Sequence, residues 1–390
     1  MILPSFRVAL APAALWLLVC SGCATWHPVE RHESWTLYVK EGETVDLAPF
    51  KSALAPAFEA VEERLGAFDR RVKIHAWGGN ADLEGGKDGE LFDREGKLEH
   101  VPGIGPARVR AFHVRGSGAP FSPSGVFLGT AEAGTAVHEL VHARLAELGA
   151  DVPLWFEEGL ATLWGDGVLF GGRWVVDGLS CWPMRVLRDE RLPDNDLERL
   201  LGLTARDSYT ARENLLMHFV GWAILFDLYR EAPDAIWEQW LQAFRQGARR
   251  TTTVDEARLR LERTLRVQTE RTWLKRLSDP DPGIRLGAAK ATWKLHSHDA
   301  VDCLLDALAV ETDPEVRFGL ALNAMLAVGE IRVGRGTWRR FSRLVDPPLR
   351  EAHLPNPGEQ IAAEEFYVAL RSRRRSTQSS LDRLSHYWEE

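Results

Sequence analysis

The feature that most constrains this chain is one amphipathic helix whose polar positions include two histidines and a glutamate. Apolar residues recur at helical spacing from Glu132 to Leu148, and Gly149 supplies the C-terminal stop. Within this helix, residues 138–142 read His-Glu-Leu-Val-His. Two histidines four positions apart point from one face of a helix, so both imidazoles can reach a single metal ion.

A second helical segment follows and offers carboxylates. Residues 153–161 read Pro-Leu-Trp-Phe-Glu-Glu-Gly-Leu-Ala, where the proline favours a first helical turn and Asp151 can cap it. Gly159 weakens a helix interior by about 1 kcal/mol relative to alanine, which makes sense where another helix approaches closely. Glu157 and Glu158 both compete to be the third ligand, and Asp151 is a more remote option. The two glutamates face about 100° apart, so only one can reach the metal.

These two segments together resemble the gluzincin metallopeptidases, the group that contains thermolysin and aminopeptidase N. Among these, the two segments most resemble the short envelope proteins called peptidase MA-like. The resemblance implies a zincin-like fold and a bound Zn²⁺, with His138, His142 and Glu158 as ligands. The fifteen residues between His142 and Glu158, counted as 158 − 142 − 1, are fewer than in the aminopeptidases, which leaves room for a different helix connection.

A site of two histidines and one glutamate with an open fourth position supports hydrolysis. Zinc acidifies a water molecule and polarises a carbonyl group, while Glu139 serves as the general base. The resemblance implies an oxyanion donor downstream, and Tyr209 begins a segment similar to the tyrosine-led helix of the MA-like peptidases. A tyrosine packed at a helix start is the alternative. His218 is half a turn out of phase with Tyr209, so at most one of them faces the site, and we interpret His218 as a core residue.

The N-terminus is typical of an export signal, with an apolar run over residues 8–19. Residues 19–23 read Val-Cys-Ser-Gly-Cys and resemble a bacterial lipobox, although Cys20 stands where a lipobox usually carries leucine. The resemblance implies that a signal peptide of residues 1–22 is removed and that Cys23 carries a lipid anchor. An ordinary secretory signal is the alternative. We expect a protein of the bacterial cell envelope, at the periplasmic face of either membrane or at the cell surface.

The chain divides into two folded blocks and a tail, and the predicted fold class is α+β. Residues 34–250 are predicted to form the gluzincin-like domain, with a mixed sheet and the helix that carries residues 138–142. Alternating and apolar runs predict its strands and a helix between the first two strands. The predicted strands cover residues 35–39, 71–77, 108–114 and 126–129, and the predicted helix covers residues 47–65.

The C-terminal block carries an internal repeat. Asp-Pro-Gly-Ile-Arg at 281–285 recurs as Asp-Pro-Glu-Val-Arg at 313–317, a period of 32 residues. This resembles HEAT-type helical repeats, which we place at 265–335, followed by a helical or partly flexible tail at 336–390. Two copies are fewer than such stacks usually need, so we expect them to pack on the first domain. They could also bind a protein partner, and ordinary helical hairpins are the alternative.

Charge and motifs argue against nucleic acid as a partner. The formal net charge is −8 and the pI is about 5.9, so there is no broad basic field. Residues 101–109 resemble the turn of a helix-hairpin-helix module, but the polar, glycine-rich residues 85–100 supply no first helix.

The sequence therefore predicts an envelope-anchored zinc peptidase that acts on a peptide or protein substrate, as an endopeptidase. Two other functions stay open. One is a catalytically silent scaffold lipoprotein that uses its helical repeats, and the other is a zinc amidase that acts on cell-wall peptides. The presence of Glu139 favours an enzyme, because a pure metal-binding frame does not need that carboxylate.

Overall fold

The computed structural model is an α+β protein that combines many helices with a small mixed sheet. Cys23, the predicted signal peptide and the 101–109 segment lie outside the residues that it describes. No helix among the described residues has the length and apolar character that crossing a bilayer requires. The described residues are 26–42, 44–76, 111–114, 125–128, 133–149, 152–176, 187, 192–204, 209–231, 236–246, 252–292, 295, 297–331, 333–351 and 367.

A five-stranded sheet lies in the N-terminal part of the chain and is formed by β1 (Trp26–Arg31), β2 (Trp35–Lys40), β3 (Val72–Ala76), β4 (Ala111–Val114) and β5 (Gly125–Leu128). The strand order is β1-β2-β3-β5-β4. The three central strands β2, β3 and β5 are parallel, and the edge strands β1 and β4 are antiparallel to their neighbours. All four predicted strands are present, whereas β1 was not predicted, because most of its residues are exposed and no apolar alternation marks it.

Helix α1 (Leu47–Leu65) makes the crossover between the parallel strands β2 and β3. It has the bounds that the sequence predicts. The Asp46 carboxylate accepts a hydrogen bond from Ala48 N at 3.1 Å and caps the first turn. Gly66 ends the helix at a φ of 79°, a backbone conformation that glycine adopts without strain.

The helices that carry the candidate site follow the sheet. Helix α2 (Ala133–Glu147) packs against α1, against β4 and β5, and against the next helix, α3 (Leu154–Gly165). Pro153 is the N-cap of α3 and makes no side-chain cap, while Asp151 lies outside the described residues. The antiparallel hairpin of β6 (Val168–Phe170) and β7 (Arg173–Val175) was not predicted. Next come α4 (Asp194–Gly202), α5 (Ala211–Glu231) and α6 (Ile236–Arg245), and α5 packs along α3.

The C-terminal block consists of helices in the part that the structure describes. Both Asp-Pro segments start a helix: Asp281 Oδ1 accepts from Gly283 N at 2.8 Å, and Asp313 Oδ1 accepts from Glu315 N at 3.0 Å. The block contacts the first domain at the β6–β7 hairpin, where Gly171 N donates to Glu315 Oε2 at 3.5 Å. Its helices are α7 (Val254–Val267), α8 (Glu270–Arg276), α9 (Pro282–Thr292), α10 (His298–Val310), α11 (Pro314–Glu330) and α12 (Arg335–Glu351).

Candidate metal centre

Helix α2 places two imidazoles side by side at its buried face. The Nε2 atoms of His138 and His142 lie 3.2 Å apart, one helical turn from each other. Burial lowers the pKa of His138 to about 4, so this side chain is neutral at physiological pH and its Nε2 can carry a free lone pair. The helix therefore presents two nitrogen donors to one point.

Helix α3 brings a carboxylate to the same point. Glu158 Oε2 lies 3.3 Å from His142 Nε2 and 3.7 Å from His138 Nε2. Burial alone would raise the pKa of Glu158, but the imidazoles of His218 and His142 outweigh it and hold this pKa well below its usual value. Glu158 is thus an ionised carboxylate that faces two histidines, as a metal ligand must be.

A third imidazole, from His218 on α5, completes the cluster. His218 Nε2 lies 3.0 Å from Glu158 Oε2, and the His218 ring stacks on that of His138 at a centroid distance of 5.7 Å and an interplanar angle of 8°. Ligand atoms of His138, Glu158 and His218 all lie within 4.8 Å of one another. Burial lowers the pKa of His218, but the Glu158 carboxylate outweighs it and the pKa is raised.

The interpretation of His218 as a core residue is therefore wrong. Helical phase does not relate it to Tyr209, because α5 begins only at Ala211 and Tyr209 lies before it. A signal was present in the sequence: Gly221, alone among large apolar residues, marks a helix crossing, and His218 stands three positions before it on the same face.

Glu157, the competing third ligand, has a different position. His142 donates a hydrogen bond from Nδ1 to Glu157 Oε1 at 3.0 Å, on the side of the ring that faces away from Glu158. Burial lowers the pKa of His142, but the carboxylates of Glu158 and Glu157 hold it well above its usual value. A carboxylate on Nδ1 fixes the ring orientation and turns Nε2 toward a metal, as the outer partners of metal-bound histidines do.

Two glycines let α3 and α5 cross at backbone contact. A Cβ atom added to Gly159 would overlap the backbone of Gly221, and one added to Gly221 would overlap the carbonyl oxygen of Trp155. The sequence-based prediction that Gly159 allows close approach of another helix is confirmed. Since Glu158 adjoins this crossing and His218 lies one turn before it, the crossing sets the distance between their side chains.

A similar approach holds α2 against α3. A Cβ atom on Gly134 would lie 2.5 Å from Gly165 O, and one on Gly165 would lie 3.2 Å from the Cβ of His138. The indole of Trp174, on the β6–β7 hairpin, donates to Trp164 O at 2.8 Å and covers this end of α3. The unpredicted hairpin thus supports the helix that carries Glu158.

The two residues predicted for catalysis lie close to the cluster. Glu139 follows His138 on α2 and is 7% exposed. Tyr209 is 39% exposed, and burial together with the charges of Glu158 and Glu157 raises the pKa of its hydroxyl. Its hydroxyl makes no hydrogen bond within the part of the chain that the structure describes. A role for Tyr209 at an oxyanion stays a prediction.

The donor set fits a zinc ion. In a tetrahedral zinc site with bonds of about 2.0–2.1 Å, neighbouring ligand atoms lie about 3.3–3.4 Å apart. The separations among His138 Nε2, His142 Nε2 and Glu158 Oε2 are 3.2, 3.3 and 3.7 Å. Imidazole and carboxylate together suit zinc and the neighbouring transition metals better than calcium or magnesium.

Comparisons with known proteins identify no relative. No family model matches the chain, and neither a curated protein nor a solved structure matches it. Function must therefore be inferred from the cluster itself.

The Glu157→Gln variant should weaken zinc binding by about 10- to 100-fold, because the outer partner of His142 loses its charge while its shape is kept. Competition with a chromophoric chelator measures this affinity. The matched control is Glu238→Gln, which changes an exposed glutamate on α6 and should leave affinity unchanged. Equal affinity of Glu157→Gln and wild type would show that Glu157 does not orient His142.

Proposed function

We propose that this chain is a zinc-dependent peptidase of the bacterial cell envelope, with a zincin-like catalytic domain and HEAT-like repeats. The observation that carries the proposal is the convergence of His138 Nε2, His142 Nε2 and Glu158 Oε2 to within 3.7 Å of one another. The first two stand in a His-Glu-x-x-His helix, so the general base of a hydrolase, Glu139, comes with the ligands. A pair of surface histidines would need neither Glu158 nor Glu139.

Each residue of the site has a chemical role in this proposal. A zinc ion held by His138, His142 and Glu158 would acidify water and polarise a peptide carbonyl. Glu139 removes the proton from the attacking water and returns it to the leaving amine. Glu157 keeps the His142 ring in place through Nδ1. Tyr209, whose hydroxyl stays protonated well above neutral pH, is the candidate donor to the oxyanion.

The remaining parts of the chain fit an anchored enzyme. A lipid on Cys23 would hold the domain at a membrane surface, where peptides and proteins of the envelope are its substrates. The C-terminal helices contact the β6–β7 hairpin and so would support the site or bind a protein partner. A zinc amidase for cell-wall peptides uses the same metal chemistry, and a silent scaffold would keep the metal without hydrolysis.

The test is the zinc content of the purified mature protein together with its hydrolysis of a peptide pool. We expect one zinc per chain by elemental analysis, loss of hydrolysis on chelation, and recovery when zinc is added back. His142→Ala should lose the metal, while His298→Ala, which removes an exposed histidine on α10, should keep it.

Other outcomes point to the alternatives. Hydrolysis of cell-wall peptides without hydrolysis of the peptide pool would indicate the amidase. One zinc per chain without hydrolysis of either substrate would indicate the scaffold. No zinc at saturating concentration would contradict all three zinc-based functions.

A further inference from the structure

His218 has the two features of a metal ligand, a fixed ring and a directed nitrogen. Its Nδ1 donates to the carbonyl oxygen of Asn214 at 2.8 Å, so Nδ1 carries the proton. In the neutral ring Nε2 then holds a lone pair, and it lies 3.0 Å from Glu158 Oε2, an atom that also only accepts. Two acceptors at this distance repel each other unless a positive charge, either a proton on Nε2 or a metal ion bound by both atoms, lies beside them.

The two ring nitrogens of His142 have the same kinds of neighbours. Its Nδ1 is fixed by Glu157, and its Nε2 lies 3.3 Å from the same oxygen of Glu158. Ligating histidines commonly donate their second ring nitrogen to a carboxylate or a backbone carbonyl. His142 has the first kind of partner and His218 has the second. In both rings Nδ1 is therefore hydrogen-bonded and Nε2 lies beside Glu158, where both could bind one cation.

We propose that His218 is a fourth protein ligand and that His138, His142, Glu158 and His218 together close the resting metal site. The inference rests on the proposed function, because it requires a bound metal. A site with four protein ligands leaves no position for water, whereas a catalytic zinc site keeps one open. Hydrolysis then requires that water or substrate displace His218 from the metal, so the site is closed at rest and opens during turnover.

Protein loaded with Co²⁺ tests this inference, since its visible absorption reports the ligands around the ion. Wild-type protein should keep its spectrum when azide is added. His218→Ala should bind Co²⁺ at least about tenfold more weakly, change its spectrum with azide, and regain the wild-type spectrum with imidazole, which refills the position. His218→Gln, tested beside it, keeps the side-chain bulk in case the alanine variant folds poorly. His298→Ala is the matched control and should behave as wild type.

Three outcomes overturn the inference, and they differ in what they say about the proposed function. If His218→Ala keeps the wild-type affinity and spectrum, His218 is only a proton-bearing neighbour of Glu158, and the peptidase proposal stands. A wild-type spectrum that already changes with azide shows an open site, and again leaves the peptidase proposal intact. Failure of wild type to bind either Co²⁺ or Zn²⁺ overturns both.

Discussion

Replacing Glu139 by glutamine should lower the rate of the proposed peptide hydrolysis by about 10²–10⁴-fold, and the variant should still bind metal. Glutamine has the shape of glutamate but cannot take a proton from water. Glu139 is buried and lies on α2 between the two candidate ligands of that helix, so a change of shape at this position would disturb them. The amide avoids that disturbance and removes only the base. Rates at saturating zinc, with zinc content measured on the same samples, check the prediction.

Glu157→Gln is the most informative comparison for this variant. The two substitutions are chemically identical, and both affect buried glutamates, on α2 and α3. At Glu157 we expect weaker zinc binding and a rate near that of wild type once zinc saturates the site, the reverse of the pattern at Glu139. If Glu139→Gln instead lost its zinc, the residue would have a structural or ligand role. An unchanged rate would place the base elsewhere.

Local patterns in the sequence were sufficient to predict the helices whose start, stop and apolar spacing lie within or beside their own residues. Helix α1 was predicted with its observed bounds, because its apolar spacing and its stop, Gly66, lie within or beside the helix. Helix α2 was predicted to within one residue at each end for the same reason. Such signals act over a few residues, and the structure adds little to them.

Features that depend on distant parts of the chain were missed. The edge strand β1 is defined by its pairing with β2, since its own residues are largely exposed. Each strand of the β6–β7 hairpin is only three residues long. Trp174 is held there by contacts outside its own strand, because its indole donates to Trp164 O and packs against Gly167. No periodicity within such short strands indicates those contacts.

His218 shows the same limit at the candidate site. The pattern at 138–142 and the Glu-Gly pair at 158–159 indicate chemistry by their residue types and spacing, so they could be found from the sequence. His218 has no ligand spacing of this kind. Gly221 beside it indicates a helix crossing but not the partner helix, and only the crossing of α3 and α5 brings His218 to Glu158. The crossing itself depends on two glycines 62 positions apart, counted as 221 − 159.

The largest expected effect on stability is at that crossing. Gly221→Ala should lower the free energy of unfolding by about 2 kcal/mol or more, because the new Cβ overlaps the carbonyl oxygen of Trp155 and the two helices must separate. Alanine gains about 1 kcal/mol in helix propensity, which offsets part of this cost. Thermal unfolding should shift down by about 4–8 °C. Zinc affinity should fall as well, since separation of the helices moves His218 and Glu158 apart.

Gly336→Ala is the matched control, because a Cβ at this helical glycine on α12 meets nothing within 4 Å. The same exchange should leave stability unchanged or raise it slightly there. Gly159→Ala adds a Cβ at the same crossing from α3, so it should lower the free energy of unfolding as Gly221→Ala does. Because one separation of α3 and α5 relieves both overlaps, the double variant should cost less than the sum of the single variants. Full additivity, or a Gly221→Ala protein that melts like Gly336→Ala, would show that the helices do not meet at these glycines.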